Sequence, residues 1–260
     1  MRDVNIRALV LLGDGINCER ETALALTHSG ADARVIHIND LLAEPKLMRN
    51  YDLLAIPGGF SFGDELGSGK LLSLKIKKGL MSEFEYFVKE RKPIIGICNG
   101  FQVLVKLGLL RESKSGERLS LMANESGSFI NSWADLIVEE NTKCKWINAK
   151  KLSGLSLPIR HGEGNLTARQ GMNPDVLKSL EESGNIVLRY KEDVNGSLGQ
   201  IAGICSDDGL IFGLMPHPEA NYFKATSKRQ HINDSPFEKD SGAHFFDTII
   251  DYLKRELDHV

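Results

Sequence analysis

The sequence predicts an α/β fold, with an open, mostly parallel sheet, helices on both of its faces and an added region of antiparallel strands. Three observations support this. Short runs rich in Val, Ile and Leu alternate with helical stretches in the first half of the chain. These runs are apolar throughout, as expected of parallel strands covered by helices on both sides. After residue 108 the runs follow one another at short spacing, which is typical of antiparallel strands.

The first half contains four predicted strands and the helices that join them. The strands are predicted at 7–12, 33–38, 51–59 and 93–97. The helices are predicted at 19–29, around 71–90 and at 99–107, with Gly30 and Gly108 after the first and the last of them. This alternation is the βαβ pattern of a parallel sheet.

The second half is predicted to consist of short strands, one internal helix and a closing helix. Strands are predicted in LSLMAN (119–124), ADLIVEE (134–140), KWINAKKL (145–152), IVLRY (186–190), QIAGIC (200–205) and LIFGLM (210–215). A helix is predicted near 174–183, residues 221–243 are predicted to be a polar loop, and a helix is predicted at 244–257. That helix places six apolar side chains along one face: Phe245, Phe246, Ile249, Ile250, Leu253 and Leu257.

Composition limits the possible partners and the location of the protein. The 260 residues carry a formal net charge of −3 and no long run of Lys or Arg, so a nucleic-acid partner is not expected. No apolar stretch approaches the roughly 20 residues of a membrane-spanning helix, and the N-terminal apolar stretch is too short for a signal peptide. With no linker-like composition, the chain is expected to be a single domain over residues 1–260, without membrane contact and in the cytoplasm.

The four cysteines form no CxxC pair and no metal-ligand spacing. They are expected to be free thiols in a reducing compartment, and no metal site is predicted. Cys18, Cys144 and Cys205 have no special sequence setting and are expected to be ordinary small buried residues.

Cys98 has a different setting, that of a nucleophile elbow. The segment GICNG (96–100) ends a predicted strand and opens a predicted helix. In the pattern G-x-Nuc-x-G the nucleophile is strained, and the residues two before and two after it must be small so that the turn can close. The helix N-terminus favours the thiolate of a group that is otherwise only about 3% ionised at pH 7. Cys98 is therefore the candidate nucleophile.

A base and a carboxylate for this cysteine are predicted in GLMPHPEA (213–220). His217 follows an apolar strand, and prolines flank it on both sides. Glu219, two residues on, can point to the same side in extended backbone and hold the imidazole in one tautomer. Cys98, His217 and Glu219 are thus a candidate triad, although a polar loop histidine beside an unrelated glutamate would have the same sequence.

Two backbone amides are candidates for stabilising an oxyanion. The strand 51–59 ends in Pro57-Gly58-Gly59, a turn that can bring the Gly59 N–H beside the thiol. The Asn99 N–H, directly after the cysteine, would be the second donor. A tight turn without a catalytic role is the alternative interpretation of the two glycines.

These segments resemble the class I, or triad, glutamine amidotransferases. GICNGFQVL is similar to their elbow, PGGFSFGDELGSGK to their oxyanion strand and MPHPE to their His-x-Glu segment. Together with HGEGN (161–165) and NGSLGQIAGI (195–204), they resemble the subfamily that supplies ammonia for converting formylglycinamide ribonucleotide to its amidine in purine biosynthesis. The resemblance extends from about residue 8 to residue 219 and implies a flavodoxin-like sheet.

The resemblance also implies a substrate and partners. Glutamine would be hydrolysed to glutamate and ammonia, with Gln102 helping to hold the substrate and His161 lining its pocket or the contact with the partner. No cofactor is expected on this chain, because its glycine-rich turns lack the spacing of phosphate-binding loops. A larger synthetase subunit would hold ATP and Mg²⁺ and receive the ammonia, and a small third subunit would complete some such complexes.

Three alternatives remain open from the sequence. The chain could serve another acceptor, although those amidotransferases are expected to carry Leu-Gly after the cysteine. It could be a cysteine hydrolase or stress protein of the intracellular-protease type, in which His commonly takes the position of Asn99. The elbow could also be retained only as architecture in a binding subunit. Ala220 departs from the basic residue expected in the subfamily, which bears on how a partner docks.

Overall fold

The computed structural model describes residues 5–63, 65–111, 119–152, 154–168, 173–228 and 235–258. Within these residues the strands are β1 (Ile6–Leu12), β2 (Ala31–His37), β3 (Leu53–Ile56), β4 (Ile94–Ile97), β5 (Ser120–Met122), β6 (Ile130–Val138), β7 (Ser156–His161), β8 (Asn165–Thr167), β9 (Ile186–Tyr190), β10 (Ile201–Cys205) and β11 (Ile211–Leu214). The α-helices are α1 (Glu19–His28), α2 (Ile38–Ala43), α3 (Lys70–Gly79), α4 (Met81–Lys89), α5 (Asn99–Leu107), α6 (Asn173–Ser183) and α7 (Ala243–Asp258).

Nine strands of the described chain form one sheet in the order β2-β1-β3-β4-β11-β10-β9-β6-β7. The first five are parallel to one another, and each later neighbour is antiparallel. The remaining two strands, β5 and β8, pair with each other. The predicted fold class, a mostly parallel α/β sheet with an antiparallel addition, is confirmed.

The central strands are buried on both faces because helices cover them. Every residue of β3, β4 and β11 is buried. Strands that are buried on both faces have sequences that are apolar nearly throughout. In α7, Phe245, Phe246, Ile249 and Ile250 are fully buried, whereas Leu257, predicted to lie on the same face, is exposed. Among the described residues, every helix is too short or too polar to span a bilayer.

The predicted strand at 145–152 is wrong. Asn148 accepts a hydrogen bond from the Lys150 amide at 3.1 Å through its side chain and starts a short 3₁₀ turn, Ala149–Lys151. Because Asn offers the backbone this local hydrogen bond, it competes with strand pairing. In the sheet, β6 pairs with β7 on one side and with β9 on the other.

Two other predicted segments contain more elements of secondary structure than expected. The helical region around 71–90 is two helices, since α3 ends at Gly79, a poor helix former, and α4 begins at Met81. The predicted loop 221–243 contains a short 3₁₀ turn at Lys224–Thr226 and an isolated bridge between Phe223 and Lys239. Residues 229–234 of that loop lie outside the described residues.

The topology brings the predicted site segments to one end of the sheet. Strands β3, β4 and β11 are adjacent and parallel. Their carboxyl ends lead directly into the turn at Gly59, into Cys98 and into the segment of His217. In open parallel sheets this edge is where ligands bind.

Candidate active site

Cys98 stands in a strained backbone conformation between β4 and α5. Its φ of 50° and ψ of −103° are unusual for a residue with a side chain. A Cβ on Gly100 would lie 1.9 Å from the Ile56 carbonyl oxygen, and one on Gly96 would lie 2.6 Å from Leu104 Cδ1. Both glycines are therefore required by close approach, as the elbow pattern predicts.

The thiol of Cys98 is buried and held from two sides. Its amide donates a hydrogen bond to the Leu214 carbonyl of β11 at 2.7 Å. Its Sγ lies 3.6 Å from the Arg160 carbonyl oxygen of β7, to which the thiol donates. Because Cys98 is the N-cap of α5, the sulfur also lies at the positive end of that helix.

His217 and Glu219 form a buried pair. His217 Nδ1 and Glu219 Oε1 are 2.5 Å apart, and both side chains are almost fully excluded from solvent. The His217 amide donates to the Pro158 carbonyl at 2.8 Å. A Cβ on Gly58 would lie 2.6 Å from His217 Cε1, so a glycine is needed there to leave room for the ring.

The surroundings of His217 favour the imidazolium form. Burial alone would lower its pKa, but the Glu219 carboxylate and the neighbouring Cys98 raise it well above the usual value. With Nδ1 directed at Glu219, Nε2 is the nitrogen left for proton exchange, and it makes no hydrogen bond to any described residue. The structure thus brings together all three predicted triad residues.

The backbone N–H groups of Gly59 and Asn99 make no backbone hydrogen bond within the described residues. Gly59 forms an isolated antiparallel bridge with Ile16. The two hydrogen bonds of this bridge run from Phe60 N to Gly15 O (2.8 Å) and from Asn17 N to Gly58 O (3.4 Å). In this pattern the N–H of Gly59 does not bond to the opposite segment. Asn99 is the first residue of α5, so its N–H has no acceptor within the helix. These are the two donors predicted for an oxyanion.

Gln102 is buried and engaged in a hydrogen-bond chain. Its Nε2 donates to the Glu163 carbonyl oxygen at 2.6 Å, and its Oε1 accepts from Asn99 Nδ2 at 3.0 Å. Asn99 Oδ1 in turn accepts from Ser61 Oγ at 2.6 Å. Gln102 therefore ties the elbow helix to the HGEGN segment, a positioning contact that the sequence did not predict.

His161 is buried beside the triad in a defined tautomer. Asn124 Nδ2 donates to the Ser128 and His161 carbonyls, both at 2.8 Å, so its Oδ1 is the atom 3.0 Å from His161 Nδ1. His161 Nδ1 therefore carries a proton and donates, and Nε2 presents a lone pair that has no partner within the described residues. Burial, and then the charge of His217, lowers the pKa of His161 to about 4.

Because of this low pKa, His161 should lower the free energy of unfolding at acidic pH. The unfolded chain protonates His161 near pH 6.5 but the folded protein only near pH 4, so its contribution to stability is present above pH 6.5 and is lost as the pH falls toward 4. Between pH 7 and pH 5 we expect wild type to lose about 2 kcal/mol more unfolding free energy than His161→Gln. Urea unfolding at the two pH values measures this difference.

The control for this measurement is the exposed residue His244. The difference between His161 and His161→Gln should be the same when both are measured in a His244→Gln background. Equal losses in wild type and His161→Gln would contradict the buried, neutral state assigned to His161.

Sequence reasoning missed two side chains at the site. Cys18 Sγ lies 4.0 Å from His217 Nδ1, and Cys18 is only partly buried, contrary to the expected ordinary buried residue. Tyr190 is fully buried near Cys98, its hydroxyl has no hydrogen-bond partner among the described residues, and burial raises its pKa. Neither is close to the triad in sequence, so spacing gives no signal. Cys144 and Cys205 are buried free thiols, as predicted.

Comparison with known proteins places this fold and site in a class. Residues 5–253 match the family of CobB/CobQ-like glutamine amidotransferase domains. The chain is therefore a glutamine amidotransferase.

Individual relatives identify one family within this class. The phosphoribosylformylglycinamidine synthase subunit PurQ of Methanococcus maripaludis is 38% identical over 241 residues, which cover 87% of this chain and 86% of the relative. PurQ of Thermotoga maritima is 35% identical over 96% of this chain and 99% of the relative. The chain belongs to this family of phosphoribosylformylglycinamidine synthase subunits.

Solved structures agree with this assignment. The structure of PurLQS from Thermotoga maritima contains a chain that is 33% identical, with a TM-score of 0.72 and coverage of 96% of this chain and 100% of that chain. A chain described as a GMP synthase subunit from Thermoplasma acidophilum matches with a TM-score of 0.55 at 13% identity, which shows a shared fold alone.

Proposed function

We propose that this chain is the glutaminase subunit of a phosphoribosylformylglycinamidine synthase and that it acts through Cys98, His217 and Glu219. The observation that supports this most directly is the pairing of His217 Nδ1 with Glu219 at 2.5 Å. This pairing leaves Nε2 to exchange a proton with the strained thiol. The identities of the substrate, glutamine, and of the acceptor are inferred from the family to which the chain belongs.

The first half of the reaction forms a thioester. Cys98 transfers its proton to His217 Nε2, and the thiolate attacks the side-chain amide carbon of glutamine. The Gly59 and Asn99 N–H groups donate to the oxyanion of the tetrahedral intermediate, and each such donor typically contributes about 10²- to 10³-fold. His217 then gives its proton to the leaving nitrogen, which departs as ammonia.

The second half returns the enzyme to its starting state. His217 accepts a proton from water, and the resulting hydroxide attacks the thioester carbon. The Cys98–carbon bond breaks, and the sulfur recovers its proton from His217, so that glutamine and water have become glutamate and ammonia. Glu219 holds the imidazole in orientation and stabilises its charged form throughout.

Gln102 and His161 are proposed to shape the glutamine pocket. Gln102 holds the main chain at Glu163 against the elbow helix through its 2.6 Å hydrogen bond. His161 offers an unpaired Nε2 acceptor, which suits an N–H donor such as an amide or an ammonium group. These two side chains would act by positioning and by accepting a hydrogen bond, not as acids or bases.

Ammonia formed here needs an acceptor enzyme. The solved relative comes from a complex described as PurLQS. By this likeness, we propose that a larger synthetase subunit takes up the ammonia, with ATP and Mg²⁺ on that subunit, and that a small third subunit completes the assembly. Formylglycinamide ribonucleotide would be the acceptor and formylglycinamidine ribonucleotide the product.

Reconstitution with the synthetase tests the acceptor. The chain should hydrolyse glutamine weakly by itself. With the synthetase, ATP, Mg²⁺ and formylglycinamide ribonucleotide, we expect faster hydrolysis and formation of the amidine, measured by chromatography. Glutamine hydrolysis without any amidine product would contradict the purine acceptor and would leave the amidotransferase class unaffected.

A further inference from the structure

Cys18 is a second thiol at the triad that the proposed mechanism does not use. It lies at the end of the loop after β1, directly before α1, and its Sγ is 4.0 Å from His217 Nδ1. One donor atom from each of Cys18, His217 and Glu219 can be chosen so that all three lie within 4.8 Å of one another. The spacing of the cysteines gave no sign of this cluster because 199 residues separate Cys18 from His217.

The backbone holds Cys18 firmly in this position. Its amide donates to the Gly58 carbonyl at 3.3 Å, and its carbonyl accepts from Thr22 Oγ1 at 2.7 Å. Gly58 is also the residue on which the His217 ring packs. The thiol and the imidazole are thus fixed against the same short stretch of main chain.

A cavity lies beside this cluster, with Cys18 and Glu219 in its wall. The cavity has a volume of about 660 Å³, and its walls include Cys18, Glu219, Trp133 and Arg160. A small ion could therefore reach Cys18 and Glu219 without passing the Cys98 thiol, which is bonded to the Arg160 carbonyl.

We propose that Cys18 Sγ, His217 Nδ1 and the Glu219 carboxylate bind a thiophilic divalent cation, Zn²⁺, and that this binding stops glutamine hydrolysis. The inhibitory effect rests on the proposed role of His217, whereas the binding itself does not. Thiolate, imidazole and carboxylate groups are each protein ligands of zinc, and sites with three protein ligands take water in the fourth position.

The geometry of the cluster is near that of a tetrahedral site. Zn–S and Zn–N bonds of about 2.3 and 2.0 Å place S and N ligands roughly 3.5 Å apart. The 4.0 Å between Cys18 Sγ and His217 Nδ1 needs only a small adjustment. The 2.5 Å between Nδ1 and Glu219 Oε1 must open by about 1 Å, and Glu219 Oε2, buried without a partner in the described chain, is available as the ligand atom.

Binding would remove the base from catalysis. The Cys18 thiol loses its proton to solvent when it binds the cation. The cation occupies the lone pair of His217 Nδ1, so the one proton of the neutral ring must sit on Nε2. An Nε2–H cannot accept the proton of Cys98, and the thioester cannot form.

The ligand chemistry separates this cation from Mg²⁺. Thiolate and imidazole favour Zn²⁺, whereas Mg²⁺ prefers oxygen ligands and retains its waters. The millimolar Mg²⁺ typical of assays with ATP should therefore leave the cluster free.

Zinc titration of the complete complex tests the effect on activity. We expect glutamine-dependent synthesis to be lost as Zn²⁺ is added, while synthesis from added ammonium continues at the same Zn²⁺ concentration. Cys18→Ala should keep the basal activity and require at least about 100-fold more Zn²⁺ for the same inhibition, because a direct ligand matters at least as much as the groups that orient ligands. Cys144→Ala, another thiol variant, should retain wild-type sensitivity.

Cobalt absorption of the isolated full chain tests the ligands independently of activity. Co²⁺ should give a thiolate-to-metal charge-transfer band in wild type and in Cys98→Ala, and no such band in Cys18→Ala. A band that disappears in Cys98→Ala but persists in Cys18→Ala would overturn the proposal, as would unchanged zinc sensitivity of Cys18→Ala. Loss of the proposed function would show itself separately, as absent glutaminase activity before any metal is added.

Discussion

Cys98→Ala should reduce glutamine-dependent amidine synthesis by at least about 10⁴-fold, because removal of the proposed nucleophile would leave only substrate binding and the proposed oxyanion donors. Synthesis from added ammonium should remain near the wild-type rate, since that reaction takes place on the synthetase. The measurement compares both nitrogen sources in the assembled complex. The small side chain should fit the elbow, where the thiol donates a hydrogen bond to Arg160 O at 3.6 Å.

Cys144→Ala is the matched control. It removes a buried thiol whose neighbours include Cys205 and the main chain of Trp146 and Ile147, and it should retain both activities. Glutaminase activity that persists undiminished in Cys98→Ala would exclude Cys98 as the nucleophile. Loss of synthesis from both glutamine and ammonium would indicate that the complex fails to assemble. Gel filtration of the complex would detect this failure.

Gly100→Ala should be among the most destabilising single-methyl additions in this chain. The new Cβ would lie 1.9 Å from the Ile56 carbonyl oxygen, and that oxygen belongs to the main chain of β3, so no side-chain rotation can relieve the overlap. Either β3 or α5 must shift. We expect the unfolding free energy to fall by about 3–5 kcal/mol, as measured by urea unfolding, or the variant to fail to accumulate as folded protein.

Gly162→Ala provides the comparison. Among the described residues its Cβ would meet Phe129 Cδ2 alone, at 3.8 Å, an ordinary contact, so the unfolding free energy should change by less than about 1 kcal/mol. Folded Gly100→Ala should also lose glutaminase activity, because a shift of α5 moves the Asn99 N–H away from the oxyanion. A Gly100→Ala protein as stable as Gly162→Ala would contradict the close packing of the elbow on β3.

The parts of the site that the sequence predicted correctly depend on short-range geometry. Gly96 and Gly100 follow from the space needed at a single turn around Cys98, and His217 and Glu219 are two residues apart. The βαβ rhythm of the first half accounts for the ends of β3 and β4 at one edge. The parallel pairing of β11 with β4, which brings the His217 segment to the same edge, was not predicted from the local pattern.

The parts that the sequence missed depend on contacts between distant segments. Cys18 approaches His217 only because the loop after β1 bonds to Gly58. The strand predicted at 145–152 was wrong for a different reason, since Asn148 makes a local side-chain hydrogen bond to the backbone where strand pairing was expected. Neither effect leaves a periodic signal along the chain.

The placement of Cys98 and His217 after adjacent strands has a consequence for motion. The Cys98 amide is bonded to Leu214 of β11, three residues before His217, and both strands are fully buried. Opening of buried central strands requires nearly the full free energy of global unfolding, whereas surface loops open at little cost. We therefore expect Cys98 and His217 to keep their relative positions during local fluctuations of the protein, so that the proposed catalytic pair is aligned before a substrate binds.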